Sequence, residues 1–254
     1  MSFGRKWPEI QITNNRTEQN MNNNNIIKNN EANLSEKNDV ENALKELLQQ
    51  FSSITQPGGK NEHLLKCVQH WFSQHKEFTE TQVFEHLERV AYRNYDYACL
   101  LGFFYEESFG TISDPQQAFI WYLRAAEHND SLGQNQVGDK FLNGYGTEMS
   151  HEKAFYWYQK ALDNNCSSAK HNLGICYRFG IHVKKNDRHA LYWYSKSAEM
   201  GDELGKRALA NAYLNGIGTN ADTHKSLKLL FLQAKNLGRV HSIDKTLLKI
   251  FHHH

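Results

Sequence analysis

Apolar residues recur at helical spacing along most of this chain. In NDVENALKELLQQFSSI, Val40, Ala43, Leu44, Leu47, Leu48 and Phe51 share one face, which predicts an amphipathic helix over 38–54. Pro57, Gly58 and Gly59 in TQPGGKN then interrupt the chain. Two more helical patterns follow, HLLKCVQHWFSQH and TQVFEHLERVAYR.

From about residue 94 the pattern repeats itself. Trp121, Trp157 and Trp193 are spaced by 36 and 36, and the same register aligns Gly102, Gly138 and Gly174 with Ala210. It also aligns Tyr105, Phe141, Tyr177 and Tyr213, and Ala118, Ala154 and Ala190 with Ser226. A fixed period in the twenties to fifties marks a solenoid. Leu101, Val137, Leu173 and Leu209 precede the glycine column and form the apolar face of a first helix. Glycine inside a helix costs about 1 kcal/mol relative to alanine, so a recurring one implies close approach of a neighbouring helix. Gly144, Gly180 and Gly216 suit left-handed C-caps. Asp114, Ser150, Asn186 and Asp222 suit N-caps, and Pro115 follows the first where proline starts helices well. The second helix carries Ala118, Trp121, Tyr122 and Ala125 and their equivalents, and closes near Asn129, Asn165, Gly201 and Gly238. Two short antiparallel helices per 36 residues follow.

The predicted fold is therefore all-α, a right-handed α/α solenoid of helix-turn-helix repeats. Residues 94–238 hold four repeats, 38–93 an N-terminal helix and a degenerate capping repeat, and 239–251 (around SIDKTLLKIF) a closing helix. In the degenerate repeat, Leu65, Leu87 and Val90 keep apolar columns while the Gly and Trp are absent. Asparagine fills twelve of the 29 positions from 14 to 42, and so polar a stretch cannot offset its ordering entropy. Residues 1–37 are accordingly expected to be a disordered tail.

The run AFYWYQKALD places Phe155, Tyr156, Trp157 and Tyr158 side by side, as a ligand-binding aromatic box would. Helical spacing favours core packing between successive helix pairs, with Trp157 and its equivalents filling the space. The fourth repeat substitutes Leu229 and Leu230, which can pack but cannot form a cage.

LGFFYEESFGTISDPQQAFIWYLRAAEHND, VGDKFLNGYGTEMSHEKAFYWYQKALDNN and LGICYRFGIHVKKNDRHALYWYSKSAEMGD resemble Sel-one-like repeats, relatives of the tetratricopeptide repeats. The family pattern is LGxxYxxGxG, a short polar loop with Asp, then KAxxWYxKAAxxG. The fourth copy keeps Tyr213, Gly216, Gly218 and Asp222 but is weaker in its second helix. The resemblance implies a curved superhelix that acts as a protein-binding adaptor. Some bacterial relatives carry a disulfide-forming cysteine pair in every repeat and are linked to β-lactam binding or hydrolysis. Here the cysteines do not recur at 36.

Composition narrows the functional classes. Twenty-nine Lys and Arg against 28 Asp and Glu leave a formal charge of +1 and no basic stripe, which argues against nucleic acid as partner. No apolar run approaches the roughly 18 residues of a membrane span, and MSFGRKWPEIQITNN lacks the apolar core of a secretory leader. Cys67, Cys99, Cys166 and Cys176 fit neither a zinc knuckle nor a disulfide framework, so free thiols in the cytoplasm are expected. His252, His253 and His254 read as a purification tag and are set aside as metal ligands.

Catalytic signatures are absent from the sequence: no GxSxG, phosphate loop or HExxH occurs, and no cofactor is implied. His182 and His189, and His70 and His75, lack metal-pair spacing. Candidate binding residues are the non-core positions of the first helices, which line the concave face in such solenoids. These are Asn135, Gln136 and Asp139, then His171 and Asn172, then Arg207 and Asn211. Asparagine amides can pair with a peptide backbone and Arg207 can take a carboxylate, pointing to an extended or acidic-tailed peptide. The predicted function is a non-enzymatic adaptor for a protein or peptide. A β-lactam-directed hydrolase and a self-assembling structural protein are the rival readings.

Overall fold

The computed structural model describes residues 30–55 and 61–236. The first tail residues, Gly238 and the expected closing helix at 239–251 lie outside them. The chain divides into two compact units, Met1–Asp39 and Val40–His254. All regular structure among the described residues is helical. Helices α1 (Asn30–Thr55), α2 (Asn61–Gln74) and α3 (Glu80–Ala91) precede a single 3-10 turn, Tyr95–Tyr97. Then come the pairs α4 (Ala98–Glu107) and α5 (Pro115–Glu127), α6 (Ser131–Asn143) and α7 (His151–Asp163), α8 (Ser167–Phe179) and α9 (Asp187–Glu199), and α10 (Glu203–Asn215) and α11 (Thr223–Asn236).

Helix α1 begins at Asn30, within the stretch expected to be disordered. Asparagine thins out beyond that point, and Glu31, Ala32, Leu34, Glu36 and Lys37 are mostly good helix formers. In the second unit, the α1 stripe is buried as its spacing requires. Ala43, Leu44, Leu47 and Phe51 are all buried, with the Phe51 ring 5.5 Å from that of Phe103.

Capping chemistry sets the helix boundaries. The side chains of Asp114, Ser150, Asn186 and Asp222 accept hydrogen bonds from the first-turn amides of α5, α7, α9 and α11. Thr79 and Gln82 form a reciprocal capping box on α3. Gly144, Gly180 and Gly216 close α6, α8 and α10 in the left-handed region, with φ of 66°, 71° and 66°.

The pairs interlock through the glycine column. A Cβ at Gly102, Gly138 or Gly174 would lie 2.9, 2.5 or 2.5 Å from the ring of Tyr122, Tyr158 or Tyr194 respectively. Each tyrosine of a second helix thus lies flat on the first helix of its own repeat. In the fourth repeat both partners change together, to Ala210 and Leu230. The larger residue on one helix accompanies a smaller one on the other, which conserves volume.

The tryptophans pack on the core to different depths. Trp121 is buried, but Trp157 and Trp193 are only partly buried against the core, whereas Tyr122 and Tyr158 are fully buried. The aromatic cluster is structural, yet its deepest member is the tyrosine after the tryptophan. One main core runs from α1 to α8, and a second, smaller one gathers Ala190, Tyr194, Leu209, Ala212 and Ile217.

Candidate functional site

The seven predicted site residues occupy successive turns of α6, α8 and α10, and the helix stack divides them into two groups. Asn135, His171 and Arg207 stand 36 residues apart in one column, and Asp139 and Asn211 stand two periods apart in another. Their surroundings nonetheless differ from repeat to repeat.

The first group is internal. Asn172 donates to Asn135 Oδ1 at 3.0 Å and to Asp139 Oδ1 at 2.9 Å, while Tyr158 donates to the same oxygen at 2.6 Å. Asn135 reaches Asp139 Oδ2 at 3.4 Å. Burial pushes the Asp139 carboxyl up to about 6, against the downward pull of the Tyr158 hydroxyl and the Lys140 charge. Asn135 and Gln136 are buried outright, so their expected place on an open binding face is wrong. The side chains of α8 cover those of α6, and amides that looked available to a peptide instead tie three helices together. A related tie lies one repeat earlier, where Tyr122 donates to Glu106 at 2.8 Å and Glu106 pairs with Lys140.

The second group is open. His171, Arg207 and Asn211 line a groove of about 550 Å³ between the ends of α8, α10 and α11. Its floor is apolar, made by Tyr194, Ala208, Ala210 and Ile217. Its rim carries Phe179, 70% exposed, with Leu214 and Leu230 at 48% and 42%. The His171 ring lies 5.8 Å from that of Tyr194. Arg178 pairs with Asp187 at 2.8 Å, and its guanidinium sits 5.9 Å from the Phe179 ring centre. Arg207 is exposed and makes no ion pair or hydrogen bond among the described residues.

Sequence reasoning missed Phe179, Arg178, Leu214 and Leu230. Two of them carried a signal in the register. Phe179 stands where the other repeats have Glu107, Asn143 and Asn215, so an apolar residue replaces a polar column. Leu230 stands where Tyr122, Tyr158 and Tyr194 cover the Gly contact, so an exposed aliphatic side chain replaces a buried aromatic one. Such departures from a repeat consensus are where a solenoid acquires a site.

Nothing in the arrangement builds a nucleophile. Burial raises the Cys67 and Cys99 thiols, and pushes Cys166 to about 11 and Cys176 to about 12, so thiolate is scarce at neutral pH. All four cysteines are unpaired. Among the described residues, no group of three His, Cys, Asp or Glu side chains is disposed to hold a metal ion. No helix among them is long and apolar enough to cross a membrane.

Comparison with known proteins agrees with the geometry. The Sel1 repeat model matches residues 96–130, 131–166, 167–202 and 205–235, more than half of the chain. No curated protein matches it significantly. Among solved structures, a Sel1 repeat protein from Oxalobacter formigenes superposes with a TM-score of 0.59 at 27% identity. That match covers 62% of this chain and 63% of the other. The protective antigen c5321 of uropathogenic Escherichia coli, described as displaying an SLR fold, gives a TM-score of 0.56 at 25% identity. It covers 81% of this chain and 48% of the antigen, so the chain spans less than two thirds of either neighbour.

Proposed function

This chain belongs to the Sel1 repeat family, and on that premise we propose that it is a non-enzymatic adaptor holding a protein or peptide on its first-helix, concave face. Repeats of this family generally serve protein–protein interaction. The observation that carries the reading is the groove at α8, α10 and α11. Exposed Phe179, Leu214 and Leu230 beside uncommitted Arg207 make an amphipathic surface that a monomer gains nothing by exposing. Large apolar side chains beside an arginine are also the composition of interface hot spots. Of the residues first proposed for binding, His171, Arg207 and Asn211 belong to this site. Asn135, Asp139 and Asn172 support it by fixing α6 to α8, and Gln136 is buried. The four unpaired thiols favour a reducing, cytoplasmic setting.

The test is affinity capture from native lysate with the intact chain and with an Arg207→Ala, Asn211→Ala variant. Both side chains are exposed, so the variant is expected to retain its helical circular dichroism. Loss of a specific set of proteins from the variant alone is the expected result. Equal recovery by both would move binding away from the groove. Turnover of a chromogenic β-lactam by the purified chain would refute the non-enzymatic assignment.

A further inference from the structure

The groove is defined by a change in the repeat pattern. In the first three repeats a tyrosine of the second helix covers the glycine of the first, but in the fourth the same register places Leu230 and Ala210. Beside this pair lies a recess bounded by Tyr194 and Ile217, with Phe179 standing 70% exposed at its mouth. The whole groove, at about 550 Å³, takes more than one side chain.

Its electrostatics are one-sided. Arg178, Arg207 and His171 line it, and no Asp or Glu does. Arg178 already has Asp187, whereas Arg207 has no partner among the described residues. Asn211 accepts from the Asn215 amide at 3.0 Å, which orients its own NH2 to donate outward, the role suited to a peptide carbonyl. Phe179 and Leu230 leave the rim apolar and exposed, as an extended segment laid along it requires. Capture of a chain terminus relies on a nest of backbone N–H groups, and the nearby amide of Gly205 is already bound by Asp202 at 2.6 Å.

We propose that the groove binds an internal, extended acidic peptide segment in which one large apolar residue, phenylalanine or leucine, is flanked by aspartate or glutamate. The apolar side chain fills the recess beside Ala210. The neighbouring carboxylate takes the guanidinium of Arg207, and Asn211 holds the peptide backbone. This refinement rests on the adaptor reading above, since it names the chemistry of that site's partner.

Fluorescence anisotropy on the full chain tests it. The probe is a labelled, C-terminally amidated twelve-residue peptide with a central phenylalanine between glutamates. Saturable binding is expected, weakened roughly tenfold or more when glutamine replaces the flanking glutamates or alanine replaces the phenylalanine. Arg207→Glu is expected to weaken the acidic peptide similarly and to improve binding of a lysine-flanked counterpart. Phe179→Ala serves as a second exposed variant and is expected to weaken both. Equal affinity for the glutamate and glutamine peptides, or indifference to Arg207→Glu, would overturn the proposal. So would tighter binding of a free C-terminal carboxylate than of the amidated probe. Concentration-dependent dimerisation abolished by Arg207→Glu would assign the groove to a second copy of the chain and overturn it as well. If partners are lost from the variant in lysate capture while the acidic peptide fails to bind, the adaptor reading stands and this inference falls.

Discussion

Asp139 shows how far one side chain's role depends on what covers it. Its carboxylate accepts from Tyr158 and Asn172, yet burial outweighs those donors and lifts the group from 3.8 to about 6. A folded-state value above the unfolded one means the native protein holds a proton that the unfolded chain has released. Stability contributed this way is present at low pH and declines as pH rises between about 4 and 6, with the full cost carried above that window. Asp139→Asn removes the titration while keeping an acceptor for both donors. Urea unfolding is expected to show the variant gaining about 1–2 kcal/mol over the parent at pH 7, and much less at pH 4. The same difference at both pH values would contradict the assignment. Asn135 and Gln136 teach the complementary lesson, because polar residues at helical surface positions were buried by a neighbour.

At the scale of elements, each helix pair is locked by an aromatic ring on a bare backbone. A Cβ at Gly138 would sit 2.5 Å from the Tyr158 ring, closer than any ordinary carbon contact. Gly138→Ala should therefore cost about 1–3 kcal/mol through overpacking, despite alanine's better helix propensity. Tyr158→Leu alone should also destabilise, since it removes a fully buried ring and the hydrogen bond to Asp139. Combined, the two substitutions copy the Ala210 and Leu230 pair of the fourth repeat. The double variant is expected to be at least about 1 kcal/mol more stable than the sum of the single effects. A double-mutant cycle by chemical denaturation measures this, and simple additivity would show that the two columns are independent.

The stacked repeats of the second unit contact mainly their neighbours, and stability in such arrays is close to a sum of local and nearest-neighbour terms. The small core around Tyr194 and Leu209 is separate from the main one that runs from α1 to α8. A cavity made in the small core should consequently loosen the C-terminal pair first. Leu209→Ala removes a buried side chain at a cost of about 2–5 kcal/mol. Hydrogen exchange is expected to accelerate roughly tenfold or more in α10 and α11, while α4 and α5 change little. Equal acceleration along all helices would mean that the array unfolds as one cooperative body. Placing the groove in the same region puts the proposed binding surface on the less deeply buried end of the described stack.

Much of this architecture was legible in the residue order because it is set locally. Caps at Asp114, Ser150, Asn186 and Asp222, left-handed glycines at Gly144, Gly180 and Gly216, and apolar spacing act within a turn or two of themselves. A period of 36 then dictates that identical units stack. All seven candidate site residues came from that register, and three of them, His171, Arg207 and Asn211, line the groove. The remaining decisions belong to packing between units. Asn135 and Arg207 occupy the same column, but one is covered through Asn172 of the following first helix and the other is exposed. Likewise the depth of Tyr158 beneath Trp157, and the recess beside Leu230, depend on side chains about twenty residues or more away in sequence. Local chemistry determined where each helix begins and ends, and only the volume and contacts of neighbouring repeats decided which polar groups stay open to a partner.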